Sequence, residues 1–241
     1  MSYQKTLELM QTLRLHGMHA AMQGLMESKK TSSLSTEQLV SLLLQHEWDE
    51  RNNRKIERLT RSARFRYTCS LTEINADPVR NLLADQLAMI STCMWVQKAE
   101  NLIITGPTGV GKSHLASAIG HQCCQLGMKV IYYNTQKLYH NLRLGRLDGT
   151  HRRQIQQLAK SDLLIIDDFG LQKPDELARL DLLEIVEDRH GKKSMLIASQ
   201  LPASTWYEII GEPTLADAIL DRVVTNAHRI ELKGESLRKR K

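Results

Sequence analysis

The chain has 241 residues, 41% of them hydrophobic, and 33 Lys and Arg against 27 Asp and Glu give a formal net charge of +6. That hydrophobic share supports a real core in one or two domains, and the basic balance favours an anionic partner. No apolar run approaches the ~18 residues of a membrane span, which excludes a helical membrane protein, and "MSYQKTLELMQTLRLHG" lacks a signal peptide's apolar stretch.

The first 70 or so residues carry helical patterns with almost no Gly or Pro after Gly24. Leu7, Met10, Leu13 and Leu15 begin a first helix, and Thr36 to Leu44 begin another with Ser35 as its cap. "RNNRKIERLTRSARFRY", residues 51 to 67, holds seven basic residues and one acid. At helical spacing Arg51, Arg54, Lys55, Arg58 and Arg61 fall within about 60° of Arg58, while Ile56, Leu59, Ala63 and Tyr67 fall opposite and Phe65 projects on the basic side. One face can pack while the other meets the phosphates of duplex DNA; a solvated amphipathic helix accounts for the same pattern. "LTEINADPVR" closes this region, because Asp77-Pro78 breaks helical continuity. The expected organisation is a small all-α domain over residues 1–75 and a second domain over 76–241. Cys69, Cys93, Cys123 and Cys124 show no paired metal spacing and read as reduced thiols of a cytoplasmic protein.

From residue 76 onward strands alternate with helices. The expected strands are 101–105, 129–133, 163–167, 195–199 and 228–232, and the alternation argues an α/β fold with a five-stranded parallel sheet covered on both faces. The first strand runs into "GPTGVGKSH", where Gly106, Gly111, Lys112 and Ser113 fit G-x-x-x-x-G-K-[ST] between a strand and a helix. Such a loop turns successive backbone N–H groups inward onto phosphate oxygens, and the helix behind it adds its positive end. Gly106, Pro107, Thr108, Gly109, Val110, Gly111, Lys112, Ser113 and His114 form the candidate nucleotide loop. Lys112 would reach the β- and γ-phosphates and Ser113 would ligate Mg²⁺.

"LGRLDGTHRR" reads as a glycine-containing loop flanked by Arg143, Arg146, Arg152 and Arg153, a second candidate for DNA phosphates. "LLIIDDFG" supplies acids at a strand end, with Asp167 for Mg²⁺ and Asp168 to orient or deprotonate an attacking water. An aspartate reaches less far than a glutamate would at that second place. Ser199-Gln200 ends the fourth strand beside the loop strand; Gln200 can touch the γ-phosphate or its water, or the pair can be ordinary strand-end polar residues. Leu215, Ile219 and Val223 then give an apolar helical stripe with Arg222 beside it.

Together "GPTGVGKSHLA", "LLIIDDFG", "ASQLP" and "PTLADAILDRVVTNAHRIELKGESLRK" resemble the IstB-like ATP-binding proteins, AAA+ helpers of insertion-sequence transposition related to DnaC-like helicase loaders. The resemblance implies an AAA+ P-loop core that binds and hydrolyses ATP to ADP with Mg²⁺ in a bacterial cytoplasm. It implies a homo-oligomer, ring or spiral, that forms on duplex DNA and presents it to a transposase. In that likeness Gly106 to Ser113 match Walker A, Asp167 and Asp168 match Walker B, Ser199-Gln200 stand at sensor 1, and Arg222 matches an arginine finger acting in trans. A helicase loader is the alternative on the same fold, and a small-molecule P-loop kinase is a weaker third. Only nine residues follow Leu232, too few for a C-terminal helical lid, so no sensor 2 residue is assigned; Arg238 in the basic tail is the one candidate nearby.

Overall fold

The computed structural model describes residues 3–28 and 34–237, so Arg238 lies outside the described residues. The chain divides into two compact units, Met1–Arg58 and Leu59–Lys241.

In the first unit, α1 (Tyr3–Thr12) is followed by α2 (His16–Glu27) and by most of a long helix, α3 (Thr36–Ala63). The first helix stops at Thr12, short of the expected Leu13 and Leu15. Ser35 caps α3 reciprocally: its Oγ accepts from the Gln38 N–H at 3.2 Å, and the Gln38 Oε1 accepts from the Ser35 N–H at 2.9 Å. The start of α2 has no side-chain cap of its own. Buried Glu47 serves instead, accepting from the N–H groups of Gly17 at 2.8 Å and Met18 at 3.2 Å and pairing with Arg51 at 2.6 Å. Burial alone would raise the Glu47 carboxyl; Arg51 and the two backbone donors outweigh it and hold it below the usual range. Only glycine fits at position 17, since a Cβ there would stand 2.3 Å from the His46 carbonyl oxygen.

The second unit begins inside α3. The sequence placed the change of structure near residue 75. In the structure Leu59, Ala63, Phe65, Tyr67, Cys69, Leu71 and Ile74 already pack in the core of the second unit. Between Ala63 and Leu83 the chain makes only two short 3-10 turns, Leu71–Glu73 and Pro78–Arg80, the latter capped by the Asp77 side chain on the Val79 N–H. Then follow α4 (Ala84–Ser91), α5 (Met94–Gln97), β1 (Asn101–Thr105), α6 (Lys112–Gln125), β2 (Val130–Asn134), α7 (Thr135–Asp148), α8 (His151–Lys160) and β3 (Leu163–Phe169). After them come α9 (Glu176–Arg189), β4 (Ser194–Ser199), α10 (Trp206–Ile210), α11 (Pro213–Val224) and β5 (Ala227–Glu231). Each strand lies within two residues of its expected span.

All pairings are parallel, in the order β2-β3-β4-β1-β5, so β1 is an interior strand. The strands are apolar on both faces, as a sheet covered twice requires. Leu102, Ile104, Leu163, Ile165, Leu196 and Ala198 face one core with α6, while Ile103, Leu164, Ile166, Met195 and Ile197 face a second with α7 to α11. Among the described residues no α-helix follows β5, none is long and apolar enough to cross a membrane, and all four cysteines are free and buried.

The second core ends in an aromatic pair under the carboxyl edge of the sheet. Trp206 is fully buried, its ring 4.8 Å from that of Phe169, and its indole N–H donates to the Leu201 carbonyl at 3.2 Å. Trp206→Ala should therefore cost about 3–5 kcal/mol of stability. Thermal and urea melts should show that loss, and Trp206→Phe should recover a large part of it.

Candidate nucleotide site

Parallel register brings the motifs to one edge. Thr105 at the end of β1 pairs with Ser199 of β4, and Ser199 pairs with Phe169 of β3. The glycine-rich loop, Gln200 and the paired acids therefore all leave the sheet at its carboxyl edge, where α/β sheets bind ligands.

The loop has the backbone its glycines permit. Gly106, Gly109 and Gly111 have φ of 145°, 84° and 96°. Lys112 is buried at the first turn of α6 and donates from Nζ to the carbonyls of Gly106 at 2.7 Å and Pro107 at 2.8 Å. Its ammonium thus sits at the mouth of the cradle that successive N–H groups would offer to phosphate. The Thr108 hydroxyl donates to the Gln200 Oε1 at 2.5 Å, so the fourth strand's polar end touches the loop. Val110 is buried, Ser113 is half-buried and His114 is exposed with its ring 5.9 Å from that of Tyr67.

Several residues at the loop were not found from the sequence. Arg80 donates from Nη2 to the Val110 carbonyl, and its own carbonyl accepts from the Lys233 N–H at 3.0 Å. The Leu237 N–H donates to the Gly109 carbonyl at 3.0 Å, so residues after β5 run across the loop. Beside it, a cavity of about 300 Å³ is lined by Ile74, Leu82, Arg80, His114, Leu115 and Leu237, among others. Nothing local in "PVR" or "GESL" signals these contacts; they arise from tertiary packing.

The acids stand on an irregularity. Ile166 pairs with Ile197 and Phe169 with Ser199, so three steps on β3 oppose two on β4. The extra residue makes a bulge, and Asp168 takes a left-handed φ of 58°. In a regular strand adjacent side chains point to opposite faces; here both carboxylates reach one partner. Arg66 Nη1 lies 2.9 Å from Asp168 Oδ2 and 3.4 Å from Asp167 Oδ2. Asp167 is fully buried and also accepts from the Tyr132 hydroxyl and, at 2.9 Å, from the Asp168 N–H. Asp168 Oδ2 accepts from the Asn134 Nδ2 at 2.9 Å. Burial, and then Asp167, push the Tyr132 hydroxyl's pKa well up, so it remains a donor. The hydroxyl of Ser113 and the two carboxylates are oxygen donors of the type a hard divalent cation takes, so the residues fit Mg²⁺.

Arg222 lies elsewhere. It stands in the last turn of α11, donates to the Ala218 carbonyl at 2.7 Å and pairs with Glu187 of α9 at 3.3 Å. Its carbonyl accepts from the side chain of Asn101, the first residue of β1, at 3.2 Å. It therefore sits at the amino edge of the sheet, opposite the loop, in a basic cavity of about 490 Å³ lined also by Lys98, Arg189 and His228.

The candidate DNA residues are divided. Arg51, Arg54, Lys55, Arg58 and Arg61 are exposed on α3, although Arg51 pairs with Glu47 and Arg54 with Glu50, each at 2.6 Å. Phe65 is not on their face. The helix ends at Ala63, Arg64 turns left-handed with φ 58°, and Phe65 packs 4.4 Å from the His121 ring. The expected loop around Gly149 is only two residues long, because α7 runs to Asp148 and α8 starts at His151. Arg143 pairs with Asp175 and Arg146 with Asp181, which leaves Arg152 and Arg153 exposed at the start of α8.

With this geometry in view, the likenesses are extensive. The family model described as "IstB-like ATP binding protein" matches residues 8–241. A putative insertion sequence ATP-binding protein of Sinorhizobium fredii is 44% identical over 234 residues, covering 97% of this chain and 96% of that protein. The putative ATP-binding protein of insertion sequence IS1162 from Pseudomonas fluorescens is 40% identical over 207 residues, 85% and 89% of the two chains. Among solved structures, the DnaC helicase loader aligns with a TM-score of 0.56 at 19% identity, over 68% of this chain and 96% of its own. DnaI aligns at 0.58 and 19%, over 70% and 89%. These structures establish an AAA+ P-loop fold. The full-length family match, the two relatives and the placement of the loop and acids together make this chain a member of the IstB-like ATP-binding protein family.

Proposed function

We propose that the protein is a Mg²⁺-dependent ATPase that assembles on duplex DNA and presents target DNA to a transposase. The observation that carries the nucleotide part is the buried Lys112 at the mouth of a left-handed glycine loop, on the same sheet edge as the bulged Asp167-Asp168 pair. The insertion-sequence relatives support the transposition context. The helicase-loader reading has only the shared fold, at 19% identity, behind it.

In this reading the loop N–H groups and Lys112 bind the phosphate chain, and the cavity beside Arg80 and Leu82 takes the base. Ser113 and Asp167 would hold Mg²⁺, which would neutralise negative charge on the phosphate chain. Asp168, held by Asn134, orients the attacking water, and Gln200 reports on the γ-phosphate through Thr108. Arg222, one sheet length from its own loop, has no route to it and would serve a neighbouring subunit. Residues up to Arg58 would form the DNA- and partner-binding part, with Leu59–Lys241, whose Arg66 reaches Asp167 and Asp168, as the ATPase. Arg51, Arg54, Lys55, Arg58 and Arg61 would meet phosphates, joined by Arg152 and Arg153. Arg143 and Arg146 could join them only by leaving their acids.

Lys112→Ala should weaken nucleotide binding about 10- to 100-fold, the range for a charged hydrogen-bond donor, as read with a fluorescent ATP analogue. Asp168→Asn should keep binding and slow phosphate release; wild-type turnover would remove its catalytic role. Replacing Arg54, Arg58 and Arg61 with Ala should lower the log–log salt slope of duplex binding by about 0.9 per lost contact, as filter binding would show. For Arg222→Ala, nucleotide affinity should persist while hydrolysis falls by up to about 10³–10⁵. Mixing it with Lys112→Ala protein should restore some turnover at mixed interfaces. Mixed oligomers that stay inactive would count against a role in trans.

A further inference from the structure

Arg66 belongs to no motif, yet its guanidinium bridges the two acids that carry the metal reading. It is held there by its neighbours rather than by chance. Phe65 packs against the His121 ring of α6 at 4.4 Å and edge-on to Tyr132 at 6.3 Å. The Tyr67 ring lies 5.9 Å from that of His114, and the Tyr67 carbonyl is 3.3 Å from His121 Nε2. Two aromatic anchors one residue to either side thus fix the backbone of Arg66 over the carboxyl edge of β3. Its side chain is 39% exposed, so solvent lies open to it.

Two carboxylates this close repel each other unless a positive charge stands between them. In this structure that charge is Arg66, and it uses Oδ2 of both acids, which are electron pairs a divalent cation would also need. The acids do not depend on it for their hydrogen bonds. Asp167 keeps the Tyr132 hydroxyl and the Asp168 N–H, and Asp168 keeps Asn134. Removing the arginine therefore leaves both acids satisfied but uncompensated in charge.

We propose that Arg66 is a built-in counter-ion that competes with Mg²⁺ for Asp167 and Asp168. It is a positioning residue: it holds the acids in place before metal arrives and swings out when metal binds. The metal requirement of the site is then set partly by how firmly the two anchors hold Arg66 in place. This inference rests on the metal reading above.

The test is a Mn²⁺ titration of the full chain with a non-hydrolysable ATP analogue, following the free-ion EPR signal. Arg66→Gln should bind Mn²⁺ about three- to tenfold more tightly than wild type, the size of losing one partly screened ion pair. Asp167→Asn, run in parallel, should bind it much more weakly. If Asp167→Asn binds like wild type, the acids are not the metal site and the metal reading falls, taking this proposal with it. If Asp167→Asn loses the ion and Arg66→Gln gains nothing, the counter-ion proposal alone is overturned. Should Arg66→Gln fail to fold, ¹⁵N-arginine spectra of the wild type decide, with Arg66→Lys used for assignment. The Arg66 Nε–H signal should move toward its free-arginine position on adding Mg²⁺ and the analogue; a signal that stays in place while Mg²⁺ binds overturns the proposal.

Discussion

The carboxyl edge of the sheet is organised by one electrostatic constraint, two adjacent carboxylates forced onto the same side of β3. A regular strand would have separated them, one to each core. The bulge between Ile166 and Phe169 brings them together, and Asp168 accepts a left-handed backbone to do so. Each neighbour then has a task defined by that charge. Tyr132 and Asn134 come from the register of β2 against β3, in which Asn134 pairs with Asp167. Both donate to the acids, and Arg66 supplies the positive charge. Burial disfavours a bare anion, so the fully buried Asp167 is tolerable only with this set of donors around it.

The loop solves a similar problem with the opposite sign. Lys112 is a buried cation, and its ammonium is satisfied by carbonyls of the loop itself. Lys112 thus donates to loop carbonyls, and buried Asp167 lies beside an arginine. A phosphate chain with its metal would exchange these internal partners for better-matched ones, since phosphate brings negative charge to Lys112 and a divalent cation brings positive charge to the acids. At the other edge Arg222 faces Glu187 and a basic cavity, with the length of β1 between it and the loop. With the loop at one edge of the sheet and Arg222 at the other, the two do not meet within one copy.

Much of this fold could be read directly. The five strands are short apolar runs bounded by Gly, Asp or Ser, and helices long enough to cover them lie between. The loop was legible because its chemistry demands fixed residue types at fixed spacing; Gly106, Gly111, Lys112 and Ser113 admit few other readings. The acid pair was legible as residues but not as geometry, because a bulge leaves no mark in "LLIIDDFG" beyond an aspartate that tolerates a left-handed backbone. Arg80, Tyr132 and the segment after β5 were not legible, since each reaches the site through a contact 30 residues or more from it in sequence.

The basic run 51–67 shows where a periodic reading stops being physical. Helical projection is sound from Arg51 to Ala63, and it places the exposed arginines and the packed Leu59 and Ala63 correctly. At Arg64 the backbone enters the left-handed region, and every residue after it is rotated away from the helical wheel. Phe65, assigned to the basic face, turns into the core, and Arg66, one more cation in a run of seven, turns onto the acids. The composition of the run says only that it seeks negative charge. Whether that charge is a phosphate or an aspartate is decided by where the helix ends, and a single residue of left-handed backbone divides the surface arginines from the one that joins the site.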